Sequence, residues 1–229
     1  MQPGPGMDNQ ANRLPAHELV YRRIREMILF GELGPGQAVT IQGLAAGIGA
    51  GMTPVREAIR RLIAEGALEF LGNRRVSLPR LSLAQLDEIS VARQALEPEL
   101  ARRAAPRMRP RDIDELRAID DALNHAIERG DVAGYLRHNC RFHSALYRHS
   151  GARILTQISQ TLWLRVGPSL RVVCGVYGTA NLPDKHDEAI TGLRNQDPEA
   201  VARAIADDIE QGHAQIRRSL LEASAGEFD

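Results

Sequence analysis

Apolar positions recur at helical spacing along most of the chain, and alternation in strand fashion is confined to one stretch near residue 70. Leu19, Ile24, Met27 and Ile28 predict a first amphipathic helix that stops in the Gly31–Gly36 region, where Gly34-Pro35-Gly36 is a strong turn signal. Thr40 is placed to cap a second, short helix carrying Ile41, Leu44, Ala45 and Ile48, which Gly47, Gly49 and Gly51 interrupt. A third helix follows, with the Thr53 hydroxyl as its expected cap and Pro54 in its first turn. Val55, Ile59, Leu62 and Ile63 form its apolar stripe, while Arg56, Arg60 and Arg61 fall outside it. Ala67–Leu71 and Arg74–Leu78 then read as two short strands about a Gly72-Asn73 turn. Three helices and a two-stranded wing make a winged helix-turn-helix over residues 13–80.

From residue 81 to about 225 the pattern is helical throughout. Ser82-Leu-Ala-Gln85 has the form of a capping box and opens a helix to about Arg103, with Pro98 inside it expected to bend it. Further helices fit 111–129, 132–149, 152–174, 183–195 and 198–223, with Asp197 as a natural cap before Pro198. Six helices suffice for a bundle with a core of its own. The expected fold class is therefore mainly α: an N-terminal winged helix-turn-helix and a C-terminal all-helical bundle. Residues 1–12, rich in Pro, Gly, Asn and Gln, are expected to be a disordered tail.

Charge sharpens this reading. The 229 residues carry a formal net charge of zero. Residues 1–80, however, hold ten arginines against seven carboxylates, so the surplus of basic groups sits on the winged helix-turn-helix part. A local basic face is what phosphate neutralisation needs. No run is apolar enough for a membrane span, and residues 1–6 lack the charged-then-apolar order of a signal peptide, so a cytoplasmic protein is expected. Two cysteines, Cys140 and Cys174, do not make a disulfide framework.

Across residues 19–80 the chain resembles GntR-type transcription regulators. The residues that carry the likeness are Arg25-Glu-Met-Ile28, Gly31-Glu-Leu-Gly-Pro-Gly36, Leu44-Ala45, Gly49, Thr53-Pro-Val-Arg-Glu-Ala58, Leu62 and Glu65-Gly66. The resemblance implies contacts to a double-stranded DNA operator from Thr40, Gln42, Thr53, Pro54, Arg56 and Arg60, and from the wing residues Asn73, Arg74 and Arg75. One departure bears on operator choice. The family usually has a Ser/Thr-Arg pair before Thr-Pro, and here Gly51-Met52 stands there.

The second part is similar to the FCD ligand-binding domain of the FadR subfamily, in the six-helix form of its VanR-like members. Arg93-Gln-Ala-Leu-Glu-Pro98, Asn139-Cys-Arg-Phe-His143, Lys185-His186-Asp-Glu-Ala-Ile190 and Asp197-Pro-Glu-Ala-Val-Ala202 carry this match. Many such domains hold a divalent metal with one aspartate and three histidines. Asn139 here takes the place of the aspartate, His143 and His186 fit, and a gapless alignment through Asp197 puts Asp208 at the last histidine. The implied ligands are Asn139, His143, His186 and Asp208, with Zn, Ni or Mn compatible with two nitrogens and two oxygens. His213 is the alternative fourth ligand, although it lies about 140° further round the helix than Asp208.

The resemblance further implies a homodimer, with a small anionic metabolite as effector and repression as the usual logic. Arg93, Asn139, His143 and His186 are the expected effector-binding residues. Arg165 and Arg171 are further candidates to pair with a carboxylate, with surface ion pairs as the plainer expectation. A metal-dependent enzyme is the rival from another class, but no nucleophile or general base has a positional claim, so no catalytic residue is expected.

Overall fold

The computed structural model describes residues 14–177 and 184–226, so the expected tail at 1–12 lies outside the described residues. Helix α1 (Ala16–Leu29) buries Val20, Tyr21, Ile24, Ile28 and Leu29. Leu19, expected on that stripe, is exposed instead, because the face against the rest of the head is set by Val20, Ile24 and Ile28. Strand β1 (Ala38–Thr40) leads into α2 (Ile41–Ile48), whose cap is Thr40: its Oγ1 accepts from Gly43 N at 2.9 Å. Gly49 ends α2 at φ +70°, a conformation that glycine adopts without cost.

Helix α3 (Met52–Ala64) starts earlier than the sequence predicts. Gly51 is its cap residue, with an extended backbone whose carbonyl accepts from Val55 N, and no side chain caps it. Thr53 is thus inside the first turn, and its hydroxyl is not used as a cap. Pro54 still costs no hydrogen bond, since the first helical N–H groups have no partner within the helix.

Strands β2 (Glu69–Gly72) and β3 (Arg75–Ser77) form the wing hairpin, but its turn is centred one residue later than expected, on Asn73 and Arg74. Both have positive φ, 48° and 58°, the conformation of a two-residue hairpin turn that follows the strand twist. The sheet also has a third strand that the alternation did not reveal. β1 pairs antiparallel with β3, giving the order β1-β3-β2. At three residues, β1 is too short to show a period.

Six helices follow: α4 (Leu83–Ala104), α5 (Pro110–Glu128), α6 (Val132–Arg148), α7 (Arg153–Tyr177), α8 (Lys185–Arg194) and α9 (Pro198–Gly226). The Ser82–Gln85 capping box is formed, with both of its hydrogen bonds present. Asp197 Oδ1 accepts from Ala200 N at 2.9 Å. α4 continues without interruption through Pro98. α4 and α8 both pack on α9, and α5 packs on α6. Cys140 and Cys174 are both free.

Two buried clusters hold the chain together. One fills the bundle, with Leu100, Phe142, Leu146, Ile190 and Ile205 among its members. The other is shared: the head's Ile24, Ile28, Val55 and Leu62 are continuous with Trp163, Leu164, Val166 and Leu170 of α7. The head therefore does not close its core by itself; α7 completes it. Leu62 is fully buried in that cluster. Leu62→Ala should lower stability by about 2–5 kcal/mol, read as a fall in the urea midpoint.

Candidate functional site

The head presents a set of exposed cations on α3 and the wing. Arg56 and Arg60 project from α3, and Arg74 and Arg75 from the wing; all four are exposed and make no ion pair among the described residues. Thr40, Gln42, Thr53 and Asn73 are exposed as well, with Pro54 half-buried beside them. Ile41 N donates to Arg74 O at 3.1 Å, which ties the start of α2 to the wing tip. Arg61 does not belong to this set. It lies over the Tyr21 ring at 3.6 Å and binds Glu18 and Glu65, each at 3.1 Å. Its position outside the apolar stripe made it look available. In the fold it fastens α3 to α1.

Six helices converge on a second site inside the bundle. His143 lies one turn after Asn139 on α6, His186 in the first turn of α8 and Asp208 midway along α9. Their ligand atoms lie within 4.8 Å of one another. His143 Nε2 is 3.3 Å from His186 Nε2 and 3.2 Å from Asp208 Oδ2, with His186 Nε2 4.0 Å from Asp208 Oδ1. Asn139 lines the same cavity together with Arg93, Tyr135, Trp163 and His186.

The outward nitrogen of each imidazole is already committed. His186 Nδ1 is 3.2 Å from Oδ1 of the fully buried Asp120, whose Oδ2 accepts from Arg117 and Asn124. His143 Nδ1 is 3.1 Å from the Tyr147 hydroxyl, which gives its own proton to Glu97 at 2.8 Å. Glu97 in turn accepts two bonds from Arg93, at 2.8 and 3.2 Å. A hydroxyl that has donated its one proton can only accept from the ring, and a carboxylate can only accept. Both rings therefore carry their proton on Nδ1, and both Nε2 atoms present lone pairs.

Those two lone pairs and a carboxylate face each other at contact distance. Burial pushes the His143 pKa down, so the ring stays neutral. Burial would raise Asp208, but a protonated His143 would donate to it from Nε2, and with His186 and Arg93 nearby the carboxyl is held down at about 2, as the carboxylate. While both rings are neutral, the two Nε2 atoms and the carboxylate are three acceptors that repel one another; a proton added to His143 Nε2 satisfies Asp208, whereas a shared cation would satisfy all three. Two nitrogens and an oxygen suit Zn, Ni or Mn.

His213 is not part of this group. Its Nε2 binds Asp87 Oδ1 at 3.0 Å, where Arg217 also binds, because five further residues carry it round α9 toward α4. Arg93 lines the cavity with its charge already matched by Glu97 and its guanidinium 4.6 Å from the Trp163 ring centre. Arg165 and Arg171 do not reach the cavity; they face the head. The supporting residues Asp120, Glu97 and Tyr147 were not singled out in the sequence. For Glu97 and Tyr147 the signal is spacing, since Arg93 and Glu97, and His143 and Tyr147, each stand four apart on a helix face; Asp120, 66 residues before His186, has none.

Comparison with known proteins agrees with both parts. The family described as bacterial regulatory proteins, gntR family, matches residues 16–77, and the FCD domain matches residues 88–211. The chain belongs to the GntR family and carries an FCD domain. This GntR regulator is 29% identical over 194 residues to the HTH-type transcriptional regulator McbR of Escherichia coli K12, covering 83% of this chain and 88% of that protein. It is 24% identical over 214 residues to the HTH-type transcriptional repressor RspR of the same strain, covering 92% of each. The solved structure of E. coli McbR/YncC has a TM-score of 0.85 at 28% identity, over 90% of this chain and 99% of that one. The chain is thus a DNA-binding transcription regulator rather than an enzyme. No helix among the described residues is long and apolar enough to cross a membrane.

Arg74 occupies the left-handed region as a non-glycine residue at the tip of the wing, a costly place for a side chain kept only for stability. Arg74→Gly should raise head stability by about 0.5–1 kcal/mol in urea unfolding and yet weaken DNA binding in a gel shift. Arg56→Ala should cost about 1–3 kcal/mol in specific binding through a lost base contact; unchanged operator affinity would take Arg56 off the reading surface.

Proposed function

We propose that this regulator is a cytoplasmic homodimer that represses transcription until a small carboxylate metabolite binds in its helical domain. Residues 13–80 read the operator and residues 81–225 bind effector and partner subunit. Two copies of α3 enter adjacent major-groove half-sites of a near-palindrome, with Thr40, Gln42, Thr53, Pro54, Arg56, Arg60, Asn73, Arg74 and Arg75 as the contacting residues. The word repressor in the names of RspR and of the probable D-xylose utilization operon transcriptional repressor of Paenarthrobacter nicotinovorans, 27% identical over 203 residues, supports the sign of the response.

The observation that carries the effector reading is the pair of bare Nε2 atoms facing Asp208, each ring locked by a partner on its far side. His143, His186 and Asp208 would hold a divalent metal, Zn, Ni or Mn, with Asn139 beside them. When bound, such a metal supplies open positions that favour carboxylate oxygens. Asp120 and the Tyr147–Glu97–Arg93 chain fix the tautomer and direction of the two rings. Trp163 lines the cavity, and its buried Nε1 has no hydrogen-bond partner. The cavity, about 110 Å³ and open on one side, suits a small acid.

Effector binding shifts DNA affinity only so far as it favours one arrangement of the heads over the other. Elemental analysis of protein purified without chelator tests the site. About one metal per chain is expected, lost in His143→Ala and Asp208→Ala, with affinity about 10–100-fold weaker in Asp120→Asn. Wild-type protein that takes up no Zn, Ni or Mn would sink the metal reading and leave a direct effector pocket.

A further inference from the structure

Arg165 and Arg171 extend from α7 to the ends of the two helices that frame the head. Arg165 Nε donates to Glu65 O at 3.1 Å, at the C-terminal end of α3. Its guanidinium lies so close on Gly66 that a Cβ there would overlap it, and Gly66 has φ +72°. The arrangement at α1 is similar: the stem of Arg171 covers Gly31, φ +71°, leaving no room for a Cβ. Between the two arginines, Gly167 sits against Leu29 at the last turn of α1.

The last carbonyls of a helix carry partial negative charge and lack partners within it. In α3, Arg61, Leu62 and Ile63 carbonyls are used by the turn through Gly66, whereas Glu65 O is bound by Arg165 from the other domain. The same helix α7 contributes Trp163 and Leu170 to the wall of the cavity. The reading helix and the cavity are therefore both referenced to α7.

We propose that Arg165 is a positioning residue for operator binding: it fixes the C-terminal end of α3 against α7, and so the angle at which α3 is presented to DNA. The fold of α3 does not depend on it, since Val55, Ile59 and Leu62 are buried within the shared core. Loss of Arg165 loosens the end of α3 against α7, while the shared core keeps the head docked and its contact surface intact. The proposal rests on the dimeric operator reading, because direction counts most when two heads must meet two half-sites at once.

The test uses full-length protein and duplex DNA selected from a random pool by the wild type. Affinity is measured by fluorescence anisotropy for the selected site, for sites with one or two base pairs added between the half-sites, and for a single half-site. In Arg165→Ala, affinity at the preferred spacing should fall about tenfold, as for a lost charge-assisted bond, and the preference among spacings should flatten. Single half-site affinity should stay within about twofold, because the reading side chains are untouched. Unchanged spacing preference in the variant would overturn the proposal alone. An equal loss on half-site and full site would do so too, since it marks a damaged head instead of a misdirected one. A wild type indifferent to spacing would overturn the dimeric reading, and this proposal with it.

Discussion

Burial of α7 between two partners is the constraint on which the rest of this molecule depends. One side of it completes the head's core through Leu164 and Val166, while Trp163 and Leu170 also border the cavity. Well-packed interiors resist continuous deformation, so a helix held in this way moves as a unit or not at all. The winged head is thus not a bead on a flexible string. Its orientation is set by contacts that the bundle supplies, and the glycines at the ends of α1 and α3 let those contacts come close.

The buried polar site follows a different logic. A bundle core tolerates ionisable groups only when each has a partner. Here the partners are arranged outward from the centre: Asp120 behind His186, and Tyr147, Glu97 and Arg93 behind His143. Every group in these chains is satisfied except at the inner face, where two nitrogens and Asp208 meet. Phe142, stacked on His186 with ring centres 3.9 Å apart, closes the apolar side. Pre-organisation of this kind places the cost of holding like-polar groups together in the fold, before any ligand arrives.

The arginines of the head divide by the same criterion. Arg61, Arg22 and Arg23 are matched to nearby glutamates. Arg56, Arg60, Arg74 and Arg75 are left exposed on α3 and the wing, where a polyanion can meet them. Arg74 even takes a strained backbone to stand at the wing tip.

Periodicity, capping residues and motif order were enough to read all six bundle helices, the Thr40 and Ser82 caps, the family and the grouping of His143, His186 and Asp208, because each depends on residues close in sequence or on a helix register that one aligned position fixes. Strand β1, the start of α3 at Gly51 and the Asn73-Arg74 turn are not legible in the sequence. They are too short to show a period, and hydrogen bonds with distant strands or a one-residue shift decide them. The partner of His186, the diversion of His213 to Asp87 and of Arg61 to Glu18, and the reach of Arg165 to the end of α3 belong to the tertiary structure alone. Sequence states which groups are available; which of them a neighbouring helix engages, and which it leaves free for a ligand, is settled only when the helices pack.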